Sequence, residues 1–152
     1  MFDIEYETSF ILPPLPQISV PVEIWVPPVP TNSDSIFDAY STSSGMIEEV
    51  TLTELRLLIA SIGKADFKFL KSISFYLGGD NVPEHEVAWL YEIPEDAGDT
   101  LFLTTTPDDL KGFITEDTLR VKIKILTDSA TTAESVINIL SVFHVDAKIL
   151  GI

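Results

Sequence analysis

The segment Leu-Arg-Val-Lys-Ile-Lys-Ile-Leu at residues 119–126 decides the fold. Apolar and basic side chains alternate along it, and successive side chains of a β-strand point to opposite faces of a sheet. The segment therefore predicts a strand with one buried apolar face and one basic face. The basic face carries Arg120, Lys122 and Lys124. We interpret it as a solvated edge strand or as a partner for the acidic segments of the chain.

The same alternation recurs along most of the chain and predicts further strands. Residues 47–62 also fit a helical stripe, but we favour a strand there because the segment holds several β-branched residues and its neighbours are strands. Seven of the ten prolines lie within residues 13–30, so we place the strand at residues 17–26 at a sheet edge, where a missing N–H is tolerated. The remaining predicted strands are residues 2–12, 67–77, 86–93, 101–105 and 136–150.

Two segments differ from this strand pattern. Residues 107–113 predict a short helix, because Thr106 is suited to cap it, Pro107 fits the first helical position and Gly112 is suited to end it. Residues 31–45 are rich in serine, threonine, asparagine and aspartate, which favour turns. This second segment therefore predicts a long loop.

Seven to eight strands, one short helix near residues 107–113 and no alternation of strands with helices predict an all-β fold. We expect an antiparallel β-sandwich of immunoglobulin-like or jelly-roll-like type. The length of 152 residues suits one domain, in which residues 1–30 form proline-rich strands or an arm that packs on or precedes the sandwich of residues 31–152. The predicted core consists of Phe10, Val20, Val22, Ile24, Leu57, Ile59, Phe69, Ile73, Phe75, Trp89, Leu101, Leu119, Val121, Ile123, Phe143, Val145 and Ile149.

The chain carries 24 acidic and 9 basic residues, a formal net charge of −15. Nucleic acids and anionic membrane surfaces are therefore disfavoured as partners, because both are bound through lysine and arginine. The absence of cysteine excludes disulfides, thiolate metal sites and cysteine nucleophiles. No apolar run reaches the roughly 18 residues of a membrane-spanning helix. Residues 1–55 hold nine of the acids and no lysine or arginine, so the charge is unevenly distributed.

Residues 80–99 form a strongly acidic stretch without lysine or arginine. Carboxylate oxygens are the ligands that Ca²⁺ prefers, which makes Asp80, Glu92, Asp96 and Asp99 candidates for a calcium site. The stretch lacks the spacing of a calcium-binding loop, so a solvated acidic face is the simpler interpretation. A hydrolase that uses these carboxylates in a cleft is a further alternative.

Four aromatic residues suggest a different kind of site. Trp25, Tyr76, Trp89 and Tyr91 lie in predicted strands and could form a platform on which sugars stack. Aromatic residues on the strands of a sandwich more often belong to the core, and we favour a core position for them. No Gly-x-Ser-x-Gly segment is present, and we expect a protein that is not an enzyme and has no catalytic residues or cofactor.

Several segments are familiar in combination: Phe-Leu-Lys-Ser-Ile (69–73), Ile-Glu-Glu-Val-Thr-Leu (47–52) ahead of Leu-Arg-Leu (55–57), Glu-Val-Ala-Trp (86–89), Ile-Pro (93–94) and Phe-His-Val-Asp-Ala-Lys-Ile-Leu (143–150). Together they resemble uncharacterised envelope lipoproteins of Gram-negative bacteria. The resemblance covers about residues 30–150 and implies a small β-sandwich as the mature domain, in the periplasm, at the outer membrane or on the cell surface. Members of the group carry a leader and a lipid-accepting cysteine, which this chain lacks, so the resemblance implies a mature domain that begins after its anchor. The group brings no catalytic residues.

Together, these observations favour a non-catalytic binding or structural module of the cell envelope, with an unknown protein or glycan as partner. A cytoplasmic protein is the alternative location. Self-association through an N-terminal strand, from residues 2–10 or 17–26, is an alternative function, because an extended segment with one apolar face is suited to strand addition and to forming homo-oligomers. The acidic stretch leaves calcium binding, glycan binding or hydrolysis as a third alternative.

Overall fold

The fold is given by a computed structural model, which describes residues 1–15, 21–59, 66–78, 83–94, 96–131 and 134–147. These residues form ten β-strands, two α-helices and one turn of 3-10 helix at Ser44–Met46. The helices are α1, Ser33–Ala39, and α2, Lys111–Ile114. No helix in the described ranges is long and apolar enough to cross a membrane. The strands are β1 (Phe2–Leu12), β2 (Val22–Trp25), β3 (Val29–Pro30), β4 (Ile47–Ile59), β5 (Leu70–Gly78), β6 (His85–Leu90), β7 (Thr100–Phe102), β8 (Thr104–Thr105), β9 (Thr118–Thr127) and β10 (Ser135–Ala147).

The strands form two antiparallel sheets, which confirms the predicted all-β sandwich. The four-stranded sheet has the order β1-β10-β4-β7. The six-stranded sheet has the order β2-β9-β5-β6-β8, with β3 also paired to β9. Strand β1 pairs with β10 over eleven residues, and β2 and β3 pair with β9, so the N-terminal segments contribute to both sheets.

The described residues form more strands than the seven to eight predicted, because β3 lies beyond the predicted strand at residues 17–26 and the predicted strand at residues 101–105 is divided. Pro27 and Pro28 separate β2 from β3 along β9, since neither proline has an N–H to donate to the ladder. Residues 101–105 divide at Leu103, where the chain crosses from one sheet to the other: β7 pairs with β4, and β8 pairs with β6.

The prolines also explain the position of β2. This strand forms one edge of the six-stranded sheet, as predicted for residues 17–26. Residues 17–20 of the predicted strand lie outside the described residues. The edge placement leaves the side of β2 that faces away from β9 free of ladder bonds to any other strand described in the structure.

One hydrophobic cluster joins the inner faces of the sheets. Most of the predicted core residues that are described are buried in it. Val22 and Ile24 are half-buried at the edge, and Trp89 is half-buried on the outer face, so the prediction was wrong for Trp89 as a core residue. Val20 and Ile149 lie outside the described residues.

The prediction of a long loop at residues 31–45 is wrong, because α1 lies within it and the 3-10 turn begins in it. Asn32 precedes α1 with a left-handed backbone (φ 52°), a conformation that asparagine tolerates better than most residues. Asp34 lies in the first turn, where negative charge is favourable. Phe37 is fully buried and anchors the helix to the core. The polar residues therefore lie at the start of a helix, and the buried Phe37 packs that helix against the core.

The predicted helix at residues 107–113 exists only as the shorter α2. The Thr106 hydroxyl accepts a hydrogen bond from the backbone N–H of Asp108 (3.3 Å). Asp109 Oδ1 accepts one from the backbone N–H of Val50 on β4 (3.0 Å). These side chain to backbone bonds stabilise a turn that competes with a helical conformation. The helix therefore begins later than the capping residues predict.

Candidate functional site

Four aromatic residues lie on the outer face of the six-stranded sheet, and we call this set the aromatic face. Trp25 is on β2, Tyr76 on β5 and Trp89 on β6, and Tyr91 follows directly after β6. Trp25 and Tyr91 are 57% and 56% exposed, and the other two are half-buried. The preference for a core position is therefore wrong, and the alternative of a surface platform matches the placement of all four rings.

A β-bulge turns Trp89 outward. The register between β5 and β6 shifts at Val87, so that Val87 and Ala88 are both buried although they are consecutive. Strict alternation would bury Trp89 on the same face as Val87, whereas the extra residue of the bulge moves it to the outer face. Glu86 lies on that face as well and pairs with Tyr76. Two consecutive apolar residues before Trp89 are the sequence signal of this bulge.

Lys122 lies at the centre of the aromatic face and is only 7% exposed. Its ammonium group donates a hydrogen bond to Glu84 and lies 3.7 Å from Glu23 Oε1. The same group lies 4.9 Å from the ring centroid of Tyr76 and 5.8 Å from that of Trp25, within the range of cation–π attraction. The hydrogen bond to Glu84 raises the pKa of Lys122, and the nearby charges add to this effect against the opposing effect of desolvation. Lys122 is therefore a fixed cation.

The basic face of β9, which carries Arg120, Lys122 and Lys124, does not belong to a solvated edge strand, so that interpretation is wrong. Strand β9 lies between β2 and β5 and is paired with a strand on each side. The alternative, a partner for the acidic segments, is confirmed for two of its lysines. Lys124 Nζ lies 3.9 Å from Glu23 Oε1 and 4.9 Å from the centroid of Tyr76. Glu23 comes from the base-free N-terminal third of the chain, and the Glu84 partner of Lys122 comes from the acidic stretch.

On the other side of the aromatic face, Glu86 is the hydrogen-bond acceptor for two tyrosines. The hydroxyl of Tyr91 donates a hydrogen bond to Glu86 Oε2 (2.6 Å), and the hydroxyl of Tyr76 donates a longer one to the same oxygen (3.4 Å). The hydrogen bond to Glu86 raises the pKa of Tyr91 to about 12. The rings of Trp89 and Tyr91 stack with centroids 6.4 Å apart and planes 16° apart. The phenol of Tyr91 is therefore neutral, and its ring is held in one orientation.

The aromatic face has two aromatic ends and a polar centre. Trp25 on β2 and Trp89 on β6 are three strand spacings apart, about 14 Å at about 4.8 Å per spacing. Lys122 and Lys124 on β9 lie between them on the outer face, and Glu86 lies on β6 itself, on the same face as Trp89. Exposed rings offer flat apolar surface on which a ring-shaped ligand stacks. Charged side chains between the rings can exchange strong hydrogen bonds with hydroxyl groups.

The Glu84–Lys122 pair gives a test of this arrangement. We expect Glu84→Gln to lower the free energy of unfolding by about 1.5 kcal/mol, the low end for a charge-assisted hydrogen bond, because the Glu84 side chain is 40% exposed. Lys122→Met should cost less, below about 1 kcal/mol, since it removes the shielded charge together with its desolvation cost. Urea unfolding of both variants checks this expectation.

Glu92→Gln is the matched control for that experiment, because Glu92 is an exposed carboxylate of the same acidic stretch. It should change stability by less than about 0.5 kcal/mol. A larger loss for Lys122→Met than for Glu84→Gln would show that the ring contacts, rather than the carboxylate, dominate the stability of the cluster.

The candidate calcium residues that the structure describes are not members of the aromatic face. Glu92, Asp96 and Asp99 are exposed in the connection between β6 and β7, and Asp80 is not among the described residues. Asp99 Oδ1 accepts a hydrogen bond from the hydroxyl of Thr100 (3.1 Å). In the part of the chain that the structure describes, no three acidic or histidine side chains come together as metal ligands. Calcium binding by this stretch stays a prediction.

No protein-family model matches the chain, and no curated protein is significantly similar to it. The class that the structure defines is an all-β sandwich with an aromatic outer face. A sandwich hosts many unrelated functions, so the function has to be argued from the chemistry of the face itself.

Proposed function

We propose that the protein is a non-catalytic binding module whose aromatic face holds a neutral glycan. The observation that carries this proposal is the placement of Trp25 and Tyr91, more than half exposed, on either side of a polar centre on one sheet face. Their rings offer stacking surface to sugar rings, and Lys124 and Glu86 offer a donor and an acceptor to hydroxyl groups.

The charges of the face support a neutral ligand. Lys122 and Lys124 are paired locally with Glu23 and Glu84, whereas the whole chain carries −15. A polyanionic glycan would be repelled by the net charge and would find the lysines already paired. A neutral glycan meets neither obstacle.

The carboxylates of the face support binding rather than acid–base chemistry. Glu84 accepts a hydrogen bond from Lys122, Glu23 lies close to two lysines, and Glu86 accepts from two tyrosines. Groups held in this way keep one position. Such rigidity favours a preorganised binding surface.

The proposal includes a location at the cell envelope, as a lipid-anchored domain in the periplasm, at the outer membrane or on the cell surface. It rests on the resemblance of residues 30–150 to envelope lipoproteins. Fractionation of cells that express the native gene, followed by immunoblotting, tests it. Recovery in the membrane fraction is the expected result, and recovery in the cytoplasmic fraction would support the alternative location.

Affinity electrophoresis tests glycan binding. In gels that contain a soluble neutral polysaccharide, such as a β-glucan, a xylan or a mannan, we expect at least one to retard the protein. Alginate, which is anionic, should not. Trp25→Ala and Tyr91→Ala should each weaken the retardation about tenfold, the equivalent of about 1.4 kcal/mol, because each removes a stacking surface.

Phe102→Ala is the matched control, because Phe102 is an aromatic residue with a similar exposure, 59%, on β7 of the other sheet. It should leave the retardation unchanged. The proposal fails if no neutral polysaccharide retards the protein, or if the Trp25 and Tyr91 variants are retarded as strongly as the wild type.

A further inference from the structure

A second surface lies on the outer face of the four-stranded sheet, opposite the aromatic face. It contains an open groove of about 780 Å³. The floor consists of two neighbouring rows of side chains that cross the four strands. One row runs through Asn138 and Leu58, and the other through Leu140 and Arg56. The groove is therefore built from regular strands, which hold its side chains at fixed spacings.

Apolar side chains are exposed in and beside this groove. Phe102, the cross-strand neighbour of Arg56, is 59% exposed, and Leu58 is 39% exposed. The cross-strand pair Ile11 and Val136 extends the apolar surface towards the end of β1, with exposures of 60% and 37%. Exposed apolar patches on a sheet face commonly mark sites of protein interaction.

The charges around these apolar side chains indicate which kind of partner binds over them. Asp3, Glu5 and Glu7 alternate along β1 on the outer face, and Glu54 continues the row of Glu5 on β4. A second copy of the chain placed face to face would set these carboxylates against one another, which is destabilising. A basic segment would set lysine or arginine against them.

Two polar groups in the groove are suited to hold a peptide backbone. Arg56 and Asn138 both line the groove, and within the described ranges the Arg56 guanidinium forms no ion pair. A guanidinium and an amide donate hydrogen bonds to carbonyl oxygens. The groove thus offers apolar contacts, carboxylates and backbone donors on one surface.

We infer that this face docks a partner protein through a short segment in which basic and apolar residues alternate. The apolar side chains of the segment contact Leu58 and Phe102, its basic side chains pair with Glu5, Glu7 and Glu54, and its backbone accepts hydrogen bonds from Arg56. This inference is independent of the proposed glycan binding, because it concerns the opposite sheet. A protein with both surfaces would connect a glycan to a second protein.

The probe for this inference is a short synthetic peptide in which lysine alternates with leucine, and the control peptide has glutamate in place of lysine. We expect the lysine peptide, titrated into the isotope-labelled full chain at physiological salt, to shift the backbone amide signals of Leu58, Phe102 and Asn138 saturably. The glutamate peptide should shift none of them. Phe102→Ser and Glu7→Lys should each raise the dissociation constant about tenfold, since one removes an apolar contact and the other reverses a charge.

Trp25→Ser is the matched control, because Trp25 has a similar exposure on the opposite sheet, and it should leave the peptide affinity unchanged. The inference is overturned if the lysine peptide causes no shifts, or if the shifts spread over all acidic residues without saturation. It is also overturned if Phe102→Ser binds the peptide as tightly as the wild type while its amide spectrum shows an intact fold.

Discussion

Replacing Phe75 or Phe143 by alanine is expected to lower the free energy of unfolding by about 3–5 kcal/mol for each variant. Phe75 on β5 and Phe143 on β10 are 1% and 2% exposed, and they belong to different sheets. Both rings line a small apolar space of about 30 Å³ between the sheets. Removing either ring enlarges that space, and the hydrogen-bonded ladders on both sides limit how far the sheets can close around it.

The measurement is urea unfolding of each variant. Phe102→Ala is the control, since it deletes the same side chain from an exposed position, and it should cost less than about 0.5 kcal/mol. A loss below about 1 kcal/mol at both Phe75 and Phe143 would mean that the inner faces of the sheets are assigned incorrectly. An unchanged dependence on urea concentration would show that the variants unfold from the same compact state.

The strands could be predicted because their signal is local. In β9, each of Leu119, Val121 and Ile123 is buried, and the intervening side chains point to the other face. Such alternation follows from the pleat of the strand itself and does not depend on which strands lie beside it. The same signal identified β10 and β4, although β4 also fitted a helical period. Its partners on both sides, β10 and β7, are what make the strand the stable choice.

The aromatic face could not be predicted in the same way, because its geometry depends on neighbours that are distant in sequence. Trp89 faces outward only because a bulge adds one residue opposite β5. Lys122 is shielded only because Glu84 and Trp25 come from other parts of the chain to cover it. Period-two alternation places Lys122 on the outer face correctly, but it carries no information about whether that face is dry or solvated.

The short helix α1 was missed for a related reason. Serine, asparagine and aspartate favour turns and helix starts alike, since both use side-chain oxygens near free backbone N–H groups. What decides between them at residues 31–45 is the burial of Phe37, which also packs edge-to-face against Phe2 with centroids 6.4 Å apart. A contact between β1 and a residue 35 positions later is not visible in a local pattern.

Charge is what distinguishes the two outer faces. The carboxylates of the aromatic face are paired with lysines or with tyrosine hydroxyls, whereas β1 presents Asp3, Glu5 and Glu7 in a row on the other sheet. Asp3 has a partner in His144, whose Nδ1 lies 2.8 Å from Asp3 Oδ1. The net charge of −15 therefore does not act uniformly over the molecule. The carboxylates of the aromatic face are locally paired, whereas carboxylates predominate along β1 on the other sheet.

Stability is expected to fall between pH 10 and about 12 because of Tyr6, whose ring lies between the sheets. Burial raises the pKa of the Tyr6 hydroxyl from 10.0 to about 12. The hydroxyl donates a hydrogen bond to the carbonyl oxygen of Thr31 (2.7 Å), which ties β1 to the chain beyond β3. Ionisation would place a negative oxygen in a site that offers an acceptor, so the folded protein keeps the proton that the unfolded chain releases at pH 10.

The sign of the effect follows from this difference in proton binding. Below pH 10 both states hold the proton, and the contribution of Tyr6 is fully present. As the pH rises from 10 towards about 12, only the unfolded chain loses the proton, so unfolding becomes easier. The expected loss is about 1.4 kcal/mol by pH 11 and approaches about 2.7 kcal/mol above pH 12, since one pKa unit corresponds to about 1.4 kcal/mol.

Urea unfolding at a series of alkaline pH values, with Tyr6→Phe as the comparison, isolates this contribution. Tyr91 and Lys122 also have raised pKa values and act in the same direction, so the wild type and Tyr6→Phe should both lose stability, the variant by the smaller amount. Tyr91→Phe controls for the exposed phenol. If the wild type and Tyr6→Phe lose stability in parallel across this range, the Tyr6 hydroxyl titrates equally in both states. The hydrogen bond from the Tyr6 hydroxyl to the carbonyl oxygen of Thr31 would then not prevent ionisation of Tyr6 in the folded protein.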